Sequence, residues 1–365
     1  MDKDNRLFSL DALRGLDMLF LCIGQPLVMA AARGWGFADS SAHPFMKHFS
    51  HAWGGFGAYD LIMPLFIFMC GAAIPFALPK RLDAEGRPTA SFWKHIAGRC
   101  ALLWVLGMAC QGRLLTCDPS RFVYFSNTLE SIAVGYVIAA LVLLVRSRAV
   151  QIAVPFALAL VYGLLLHFCG DYTPKGNFAM KVDMIFVNAL QPCGHDTGSY
   201  TWYLTSLMFG AMTLCGMNCT QVLKSDRTPW RKAATLGVLG AALWAGGLLL
   251  EALGVPCIKH IYTVSFTAQA MGASVLLLAA LYVITDIWKF RRGLWIVTLY
   301  GQVALSAYVL GEIFRAIPNA ASKAIFGGLA KRIGGPWEQV VLVLGLGVVL
   351  TFAIYVWREF RRRGQ

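Results

Sequence analysis

The chain has 365 residues, of which 58% are hydrophobic and 14% are charged, and its mean hydropathy is +0.60. Soluble globular proteins carry about 25% charged residues, so the composition excludes a water-soluble globule and indicates that lipid is the outer solvent. The net charge of +13 would suggest nucleic acid for a soluble protein. No nucleic-acid partner is predicted here, because basic cytoplasmic loops explain the charge better.

Apolar runs long enough to cross a bilayer, about 20 residues each, recur along the chain and predict an all-α, polytopic membrane protein. The first run, Leu7 to Ala31, is too long and too charged for a secretory signal peptide, so a retained span is expected. About ten transmembrane helices in a single domain over 1–365 are predicted, at roughly 7–31, 58–78, 97–116, 128–145, 150–169, 200–222, 233–255, 262–287, 294–317 and 336–357.

The distribution of basic residues predicts that both termini are cytoplasmic. With this orientation the inner segments carry 20 of the 32 lysines and arginines and the outer segments carry 11, as the positive-inside rule requires. The longer loops, at 32–57, 170–199 and 318–335, then lie outside and would form a mouth, with 318–335 resembling a surface helix. A multi-pass protein of the cell membrane is expected, in the inner membrane if the source is bacterial.

Four cysteines fall at or beyond the outer ends of the predicted spans. An oxidising compartment would allow two of them to form a disulfide. Free thiols are the equal alternative, because a sequence does not give connectivity. The four are Cys117, Cys169, Cys193 and Cys257.

The first span carries ionisable residues that are costly within a membrane and are therefore functional candidates. Asp11, Arg14 and Asp17 follow one another at intervals of three, which makes each pair adjacent on a helix. The alternative is that this ladder only neutralises itself. Gln25 lies 11 residues after Arg14, about three helical turns or 16 Å, so both would share a face that lines a tunnel.

The outer loop before the second span supplies His43, His48 and His51, followed by Asp60 at the start of that span. Histidine acts as a general base near neutral pH. Asp60 would orient a histidine or cap the helix. His48, His51 and Asp60 also form an alternative metal-binding set. Solvated histidines beside an interfacial aromatic belt are the simpler interpretation of this loop.

Basic residues cluster around the inner ends of the second and third spans. Such a cluster suits a polyphosphate, to which arginine donates bidentate hydrogen bonds. For most of them the positive-inside bias is the better explanation, but Arg99 begins an apolar run and is the exception. The cluster consists of Lys80, Arg81, Lys94 and Arg99.

Two stretches carry a family resemblance. RLFSLDALRGLDM and HAWGGFGAYDLIMPLFIFMCGAAIPF resemble the opening motifs of the transmembrane acyltransferase family of heparan-α-glucosaminide N-acetyltransferase and its bacterial relatives. Weaker similarity continues through TLESIAVGYVIAAL, GNFAMKVD, YTWYLTSLMFGAM and GQVALSAYVLGE, so the resemblance covers nearly the whole chain.

The resemblance implies transfer of an acetyl group from cytoplasmic acetyl-CoA to the amine of a glucosamine-type sugar presented outside. It places the family's catalytic histidine on His51 and its first-span arginine and aspartate on Arg14 and Asp11. The family's aspartate before leucine falls on Asp60. The nucleotide would lie on the cytoplasmic side, with Arg14, Asp11, Arg99 and Arg81 as the candidate cofactor-binding residues.

The sequence departs from the family pattern at three places. One residue separates His51 from Trp53 where the pattern has two, which keeps His48 as a candidate. The asparagine expected as the partner of the histidine is Gln25, and the phenylalanine before Pro64 is Met63. These departures leave open whether activity is retained.

The residues and the resemblance together predict one mechanism. His51 would deprotonate an acceptor amine or hydroxyl that attacks the thioester, or it would carry the acetyl group transiently. Gln25 or the glycine-loop N–H groups would stabilise the oxyanion. The alternative is a transporter or flippase that uses Asp11, Arg14 and Asp17 as a coupling relay, although no broken half-helices are evident in the sequence. No metal is predicted, and a homo-oligomer is compatible with the sequence.

Overall fold

A computed structural model describes residues 7–37, 46, 48–49, 53–112, 123, 125–190 and 200–363. Over these residues the chain is helical and contains no strand, which confirms the predicted all-α class. The described α-helices are α1 (Phe8–Leu19), α2 (Gln25–Gly34), α3 (Ile62–Ala77), α4 (Ala90–Cys110), α5 (Thr128–Leu143), α6 (Arg148–Cys169), α7 (Phe178–Leu190), α8 (Ser206–Lys224), α9 (Pro229–Ala252), α10 (Val264–Tyr282), α11 (Trp295–Gln302), α12 (Ala304–Glu312), α13 (Ala316–Ile333) and α14 (Glu338–Arg363).

Six helical stretches are long and apolar enough to cross a membrane, counted over the described part of the chain. They are Phe8–Gly34, Ala58–Ala77, Arg148–Cys169, Pro229–Ala252, Val264–Ile287 and Gly335–Arg363. The shorter helix α5 is also apolar. The protein therefore has the multi-pass helical character that the sequence predicted.

Several helix limits differ from the predicted spans. The span predicted at 294–317 is broken at Val303, whose φ of −126° and ψ of 33° separate α11 from α12. This break had no sequence signal, because neither glycine nor proline occupies the position. The helix α7 lies in a segment that was predicted to be an outer loop, whereas α13 agrees with the surface helix suggested for 318–335.

The chain divides into two compact units. The first consists of Met1–Ala52, Gly57–Ile62 and Ala280–Gln365. The second consists of Trp53–Phe56 and Met63–Ala279. The single domain expected over 1–365 stays a prediction.

In the first unit, α1 packs against α11 at two glycines. A Cβ at Gly15 would overlap the carbonyl oxygen of Val297, and one at Gly301 would overlap that of Asp11. Only glycine allows so close an approach of two backbones, which is how helices pack in lipid. The crossing fixes the register of the helix that carries Asp11, Arg14 and Asp17.

Asp286 caps the N-terminus of α1. Its carboxylate oxygens accept hydrogen bonds from the main-chain N–H groups of Phe8 (3.2 Å) and Ser9 (2.9 Å). Arg291 lies 3.9 Å from the same carboxylate and 4.8 Å above the ring centroid of Phe8. A carboxylate at this position satisfies N–H groups that have no partner within the helix.

In the second unit, α8 is the central helix. A Cβ at Gly71 of α3 would overlap the carbonyl oxygen of Thr213, and one at Gly216 would overlap that of Phe68. On α5, Gly135 lies against the Thr213 side chain. The small residues of α3, α5 and α8 thus bring three backbones together, and twelve residues of α8 are buried.

Candidate functional site

The segment that carries His48 is held to the start of the second span. The His48 carbonyl accepts a hydrogen bond of 3.0 Å from the Tyr59 N–H, while its side chain is exposed. Asp60 Oδ2 accepts a hydrogen bond of 2.9 Å from the Gly57 N–H and so caps the short 3₁₀ helix Ala58–Leu61. Of the two roles predicted for Asp60, the capping role is therefore present. His43 and His51 lie outside the described residues.

Gln25 lines a cavity of about 450 Å³ in the first unit. Its apolar wall comes from α2 and α14, and its polar residues come from α2, α13, α14 and Arg315 just before α13. The lining residues are Gln25, Pro26, Met29, Ala30, Arg33, Arg315, Asn319, Ser322, Lys323, Gln339, Leu342, Val343 and Leu346. The predicted oxyanion donor is thus part of the wall of a space large enough for a small ligand.

The cavity and the histidine segment share neighbours within the first unit. The rings of Phe20 and Phe49 lie 6.3 Å apart, which brings the segment beside the turn that precedes Gln25. The charges of Glu312 and Arg315 act on the Tyr59 hydroxyl, and Arg315 also lines the cavity. Arg315 therefore links the surroundings of Tyr59 with the wall of the cavity.

The common face predicted for Arg14 and Gln25 assumed one continuous α-helix, which the first span is not. A π-helical turn, Phe20–Gly24, interrupts the first span between them. Its wider i to i+5 bonding adds one residue to the turn and rotates the helix after it by about 100°. The straight helix on which the expected tunnel lining rested is therefore interrupted, and the tunnel stays a prediction.

The ionisable ladder of α1 is partly self-neutralising. Arg14 Nη1 lies 3.8 Å from Asp11 Oδ1, the adjacent pair that the spacing predicted. Asp17 is buried, and its Oδ2 has no hydrogen-bond partner among the described residues. The pairing of Arg14 with Asp11 agrees with the alternative interpretation, in which the charges of the ladder only neutralise each other.

The inner cations of the second unit divide into exposed and enclosed groups. Lys80 and Lys94 are exposed, as the positive-inside explanation expects. Arg99 is enclosed, with its guanidinium 4.6 Å from the Tyr136 ring centroid and its Nη2 3.5 Å from Cys70 Sγ. Arg81 donates a 2.5 Å hydrogen bond to the Ala77 carbonyl at the C-terminus of α3.

Arg81 and Arg99 form one positive neighbourhood, since the charges of both act on His95. The Nε of Arg99 is buried without a hydrogen-bond partner among the described residues. This donor set has the chemistry that a phosphate group needs. The structure brings these two predicted cofactor residues together, and it places Arg14 and Asp11 in the other unit.

An aromatic cluster around His260 was not predicted from the sequence. His260 and Lys259 are both buried. The ring of His260 stacks on Trp53 at a centroid distance of 5.1 Å and lies 4.3 Å from the ring of Tyr200. The only local signal was a Lys-His pair within an otherwise apolar stretch.

Two further features stabilise this cluster. Trp53 Nε1 donates a 3.1 Å hydrogen bond to the Tyr172 carbonyl. That carbonyl belongs to a tight turn in which the hydroxyl and N–H of Thr173 donate to Asp171 and hold the pKa of that carboxyl below its usual value. Tyr262 adopts a positive φ of 44°, and a strained backbone of this kind occurs often at functional sites.

Polar groups in the weaker motifs have structural partners. Asp183 of GNFAMKVD accepts hydrogen bonds from the N–H groups of Trp202 (2.6 Å) and Tyr203 (3.0 Å) in YTWYLTSLMFGAM. Glu130 of TLESIAVGYVIAAL accepts from Ser126 and Asn127 and caps α5. The motifs GNFAMKVD and YTWYLTSLMFGAM, which are separate in sequence, are thus joined by the hydrogen bonds of Asp183.

The structure also bears on the alternative metal site and on the outer disulfide, where their residues are described. Over the part of the chain that the structure describes, no group of three His, Cys, Asp or Glu side chains could hold a metal ion. Cys169 is an exposed, free thiol. His51, Cys117 and Cys193 lie outside the described residues, so the outer disulfide stays a hypothesis.

Comparison with protein families identified one match, over residues 6–205, which is more than half of the 365 residues. This region includes Gln25, His48, His51, Asp60 and Arg99, whereas His260 and the helices α13 and α14 follow it. No curated protein matched the chain. By the extent of the family match, the chain belongs to the family described as "Domain of unknown function (DUF5009)".

Proposed function

We propose that this protein is a membrane acetyltransferase. It transfers an acetyl group from cytoplasmic acetyl-CoA to the amine or hydroxyl of a glucosamine-type sugar on the outer side of the cell membrane. About ten spans, with both termini cytoplasmic, complete the proposed arrangement. The opening motifs, which resemble those of the heparan-α-glucosaminide N-acetyltransferase family, support this reaction.

One observation carries the proposal. The segment with His48, three residues before His51, is hydrogen-bonded to Tyr59 in the unit where Gln25 lines a cavity of about 450 Å³. Acyl transfer requires a base and an amide donor at one site, and the presence of both segments in the first unit supports the proposal. The buried Nε of Arg99 beside Arg81 supports phosphate binding by the CoA nucleotide.

The proposed chemistry begins at the acceptor. The imidazole of His51 takes a proton from the acceptor nitrogen or oxygen as that atom forms a bond to the thioester carbonyl carbon. The Gln25 amide donates a hydrogen bond to the resulting oxyanion. When the intermediate collapses, the carbon–sulfur bond breaks and the CoA thiolate takes up the proton. In the ping-pong alternative the imidazole itself holds the acetyl group between two such steps.

The decisive experiment is an activity assay on the purified full-length chain with acetyl-CoA and glucosamine, in which CoA thiol release is followed. Replacement of the general base, His51→Ala, should lower the rate by about 10²–10⁴-fold. His48→Ala is the matched variant from the same loop and should retain most activity. Full activity in a folded His51→Ala protein would overturn this assignment, and loss only in His48→Ala would move the base to His48.

The role of Gln25 has its own test. Gln25→Leu should lower the rate by about 10²-fold, because one oxyanion donor is removed. Gln25→Asn keeps an amide, and partial activity is expected. Equal activity in the wild type and Gln25→Leu would exclude this residue from oxyanion stabilisation.

The transporter alternative is favoured by one observation, the buried Asp17 oxygen without a hydrogen-bond partner among the described residues. Intramembrane carboxylates of this kind serve as coupling groups in transporters. The same assay discriminates the two functions. A transporter would accumulate sugar in proteoliposomes without CoA release, whereas the acetyltransferase would release CoA in detergent solution.

A further inference from the structure

The cavity in the first unit has a strongly one-sided charge. Arg33, Arg315 and Lys323 line it, and no carboxylate is among its lining residues within the described chain. All three cations are exposed, so they are reachable by a ligand. The carboxylate of Glu312 interacts electrostatically with Arg315 but does not line the cavity.

The position of Arg33 is set before any ligand binds. Its Nη1 donates a 2.6 Å hydrogen bond to Gln339 Oε1, which joins α2 to α14. Ser322, also in the wall, donates a 2.7 Å hydrogen bond to the Leu342 carbonyl and ties α13 to α14. A cation held by a neutral amide keeps its charge available for an anion.

The remaining wall is apolar and is supplied by Pro26, Met29, Ala30, Leu342, Val343 and Leu346. The outer surfaces of the same helices are also apolar, with Ile325 67% and Leu329 54% exposed on α13 and Val348 60% exposed on α14. These surfaces are suited to contact with acyl chains. The cavity thus combines a cationic part with an apolar part, beside helices that expose apolar side chains.

We propose that this cavity binds the phosphate headgroup of an anionic amphiphile, with an acyl chain against the apolar wall. Basic pockets between transmembrane helices bind anionic lipid headgroups in this way. Arg33 and Arg315 provide planar donors for phosphate oxygens, and Lys323 adds a point charge. The lipid would share the cavity with Gln25, the proposed oxyanion donor, but its binding does not require acetyl transfer.

The test uses full-length protein in mixed micelles of equal phosphatidylglycerol and phosphatidylcholine, with retained lipid counted by native mass spectrometry. The wild type should retain phosphatidylglycerol in preference. Arg315→Gln and Lys323→Gln should each lower this retention by about tenfold, the effect of losing one charged hydrogen bond. Lys331→Gln removes the same charge from the same helix outside the cavity and should have no effect.

Three outcomes would overturn the proposal. They are equal retention of both lipids by the wild type, equal losses in Lys323→Gln and Lys331→Gln, and unchanged retention in Arg315→Gln and Lys323→Gln. An added arm with inorganic phosphate separates the two sources of the anion. Displacement of the lipid by equimolar phosphate would contradict the acyl-chain part, and failure of phosphate to compete supports it. Thermal unfolding of each variant verifies that the fold is intact.

Discussion

In the second unit Asp183 is fully buried and accepts two main-chain hydrogen bonds, whereas in the first unit Arg33, Arg315 and Lys323 are exposed around a cavity. Both sets are polar groups in an apolar protein, but only the exposed cations of the first unit are open to a ligand. Arg99 of the second unit is intermediate, because Tyr136 and Cys70 lie against its guanidinium while its buried Nε, the proposed phosphate donor, has no hydrogen-bond partner among the described residues.

This difference separates polar groups that stabilise the fold from those that are available for binding. A buried polar group must have its partners within the protein, because leaving it unsatisfied costs about 1–3 kcal/mol. An exposed cation contributes little to stability and remains free to bind an anion. Substitutions in the second unit should therefore mainly change stability, and those around the cavity should mainly change binding.

The largest effect is expected at Asp183. Asp183→Ala leaves the N–H groups of Trp202 and Tyr203 buried without an acceptor, so the free energy of unfolding should fall by about 3 kcal/mol. Asp183→Asn retains one acceptor oxygen and should lose roughly half as much. Thermal or denaturant unfolding in detergent provides the measurement. If the free energy of unfolding changed by less than about 0.5 kcal/mol in Asp183→Ala, Asp183 would not be one of the polar groups that stabilise the fold.

A smaller effect is expected at Arg99. Arg99→Met removes a partly desolvated cation–π contact with Tyr136, and the free energy of unfolding should fall by about 2 kcal/mol. Arg99→Lys keeps the charge without the planar stack and should fall between Arg99→Met and the wild type. The phosphate role proposed for Arg99 predicts weaker acetyl-CoA binding in Arg99→Met as well, and a loss of stability with unchanged binding would leave Arg99 a structural residue only.

In the first unit, the cap that Asp286 provides to α1 is a further test of a polar group that stabilises the fold. Asp286→Ala removes the acceptor for the Phe8 and Ser9 N–H groups, which should cost about 1 kcal/mol of unfolding free energy. Asp286→Asn keeps a side-chain oxygen at the cap and is the matched control, with a loss of only a few tenths expected from the removed charge. Equal losses in both variants would show that the ion pair with Arg291 matters more than the cap.

The smallest contribution is expected from the aromatic contacts of His260. His260→Ala removes the ring contacts with Trp53 and Tyr200, which contribute about 0.5–1 kcal/mol of unfolding free energy in addition to the burial of the ring. His260→Phe should restore the stability, because it preserves the aromatic packing. CoA release measured on the stable His260→Phe protein then reports any chemical use of the imidazole. Failure of His260→Phe to regain stability would contradict a packing role.

Local spacing predicted some of these contacts correctly. Asp11 and Arg14 form the pair that an interval of three residues implies. Asp60 caps the short 3₁₀ helix to which it belongs. Both interactions join residues within one turn, where helical geometry alone fixes the distance. The predicted all-α class has a similar basis, because lipid requires each backbone group to be bonded within its own segment.

Other features depend on contacts distant in sequence. His260 reaches Trp53 from 207 positions away, and Asp286 caps a helix that begins 278 residues earlier. The direction of Gln25 depends on the π-helical turn before it. The residues FLCIG resemble an ordinary apolar helix, and the signal of the break is Gly24 followed by Pro26, which lacks an N–H to bond to the preceding turn.

The sequence by itself determined that this is a multi-pass, all-α membrane protein with ionisable residues in its first span, because composition and helical periodicity are local properties. Only the tertiary structure decided which polar groups are enclosed and which are open. Asp183 became a structural acceptor when α7 met the segment before α8. Arg33, Arg315 and Lys323 became one cationic wall when α2, α13 and α14 packed together. Such groupings depend on how helices pack, and helix packing joins residues that no sequence interval relates.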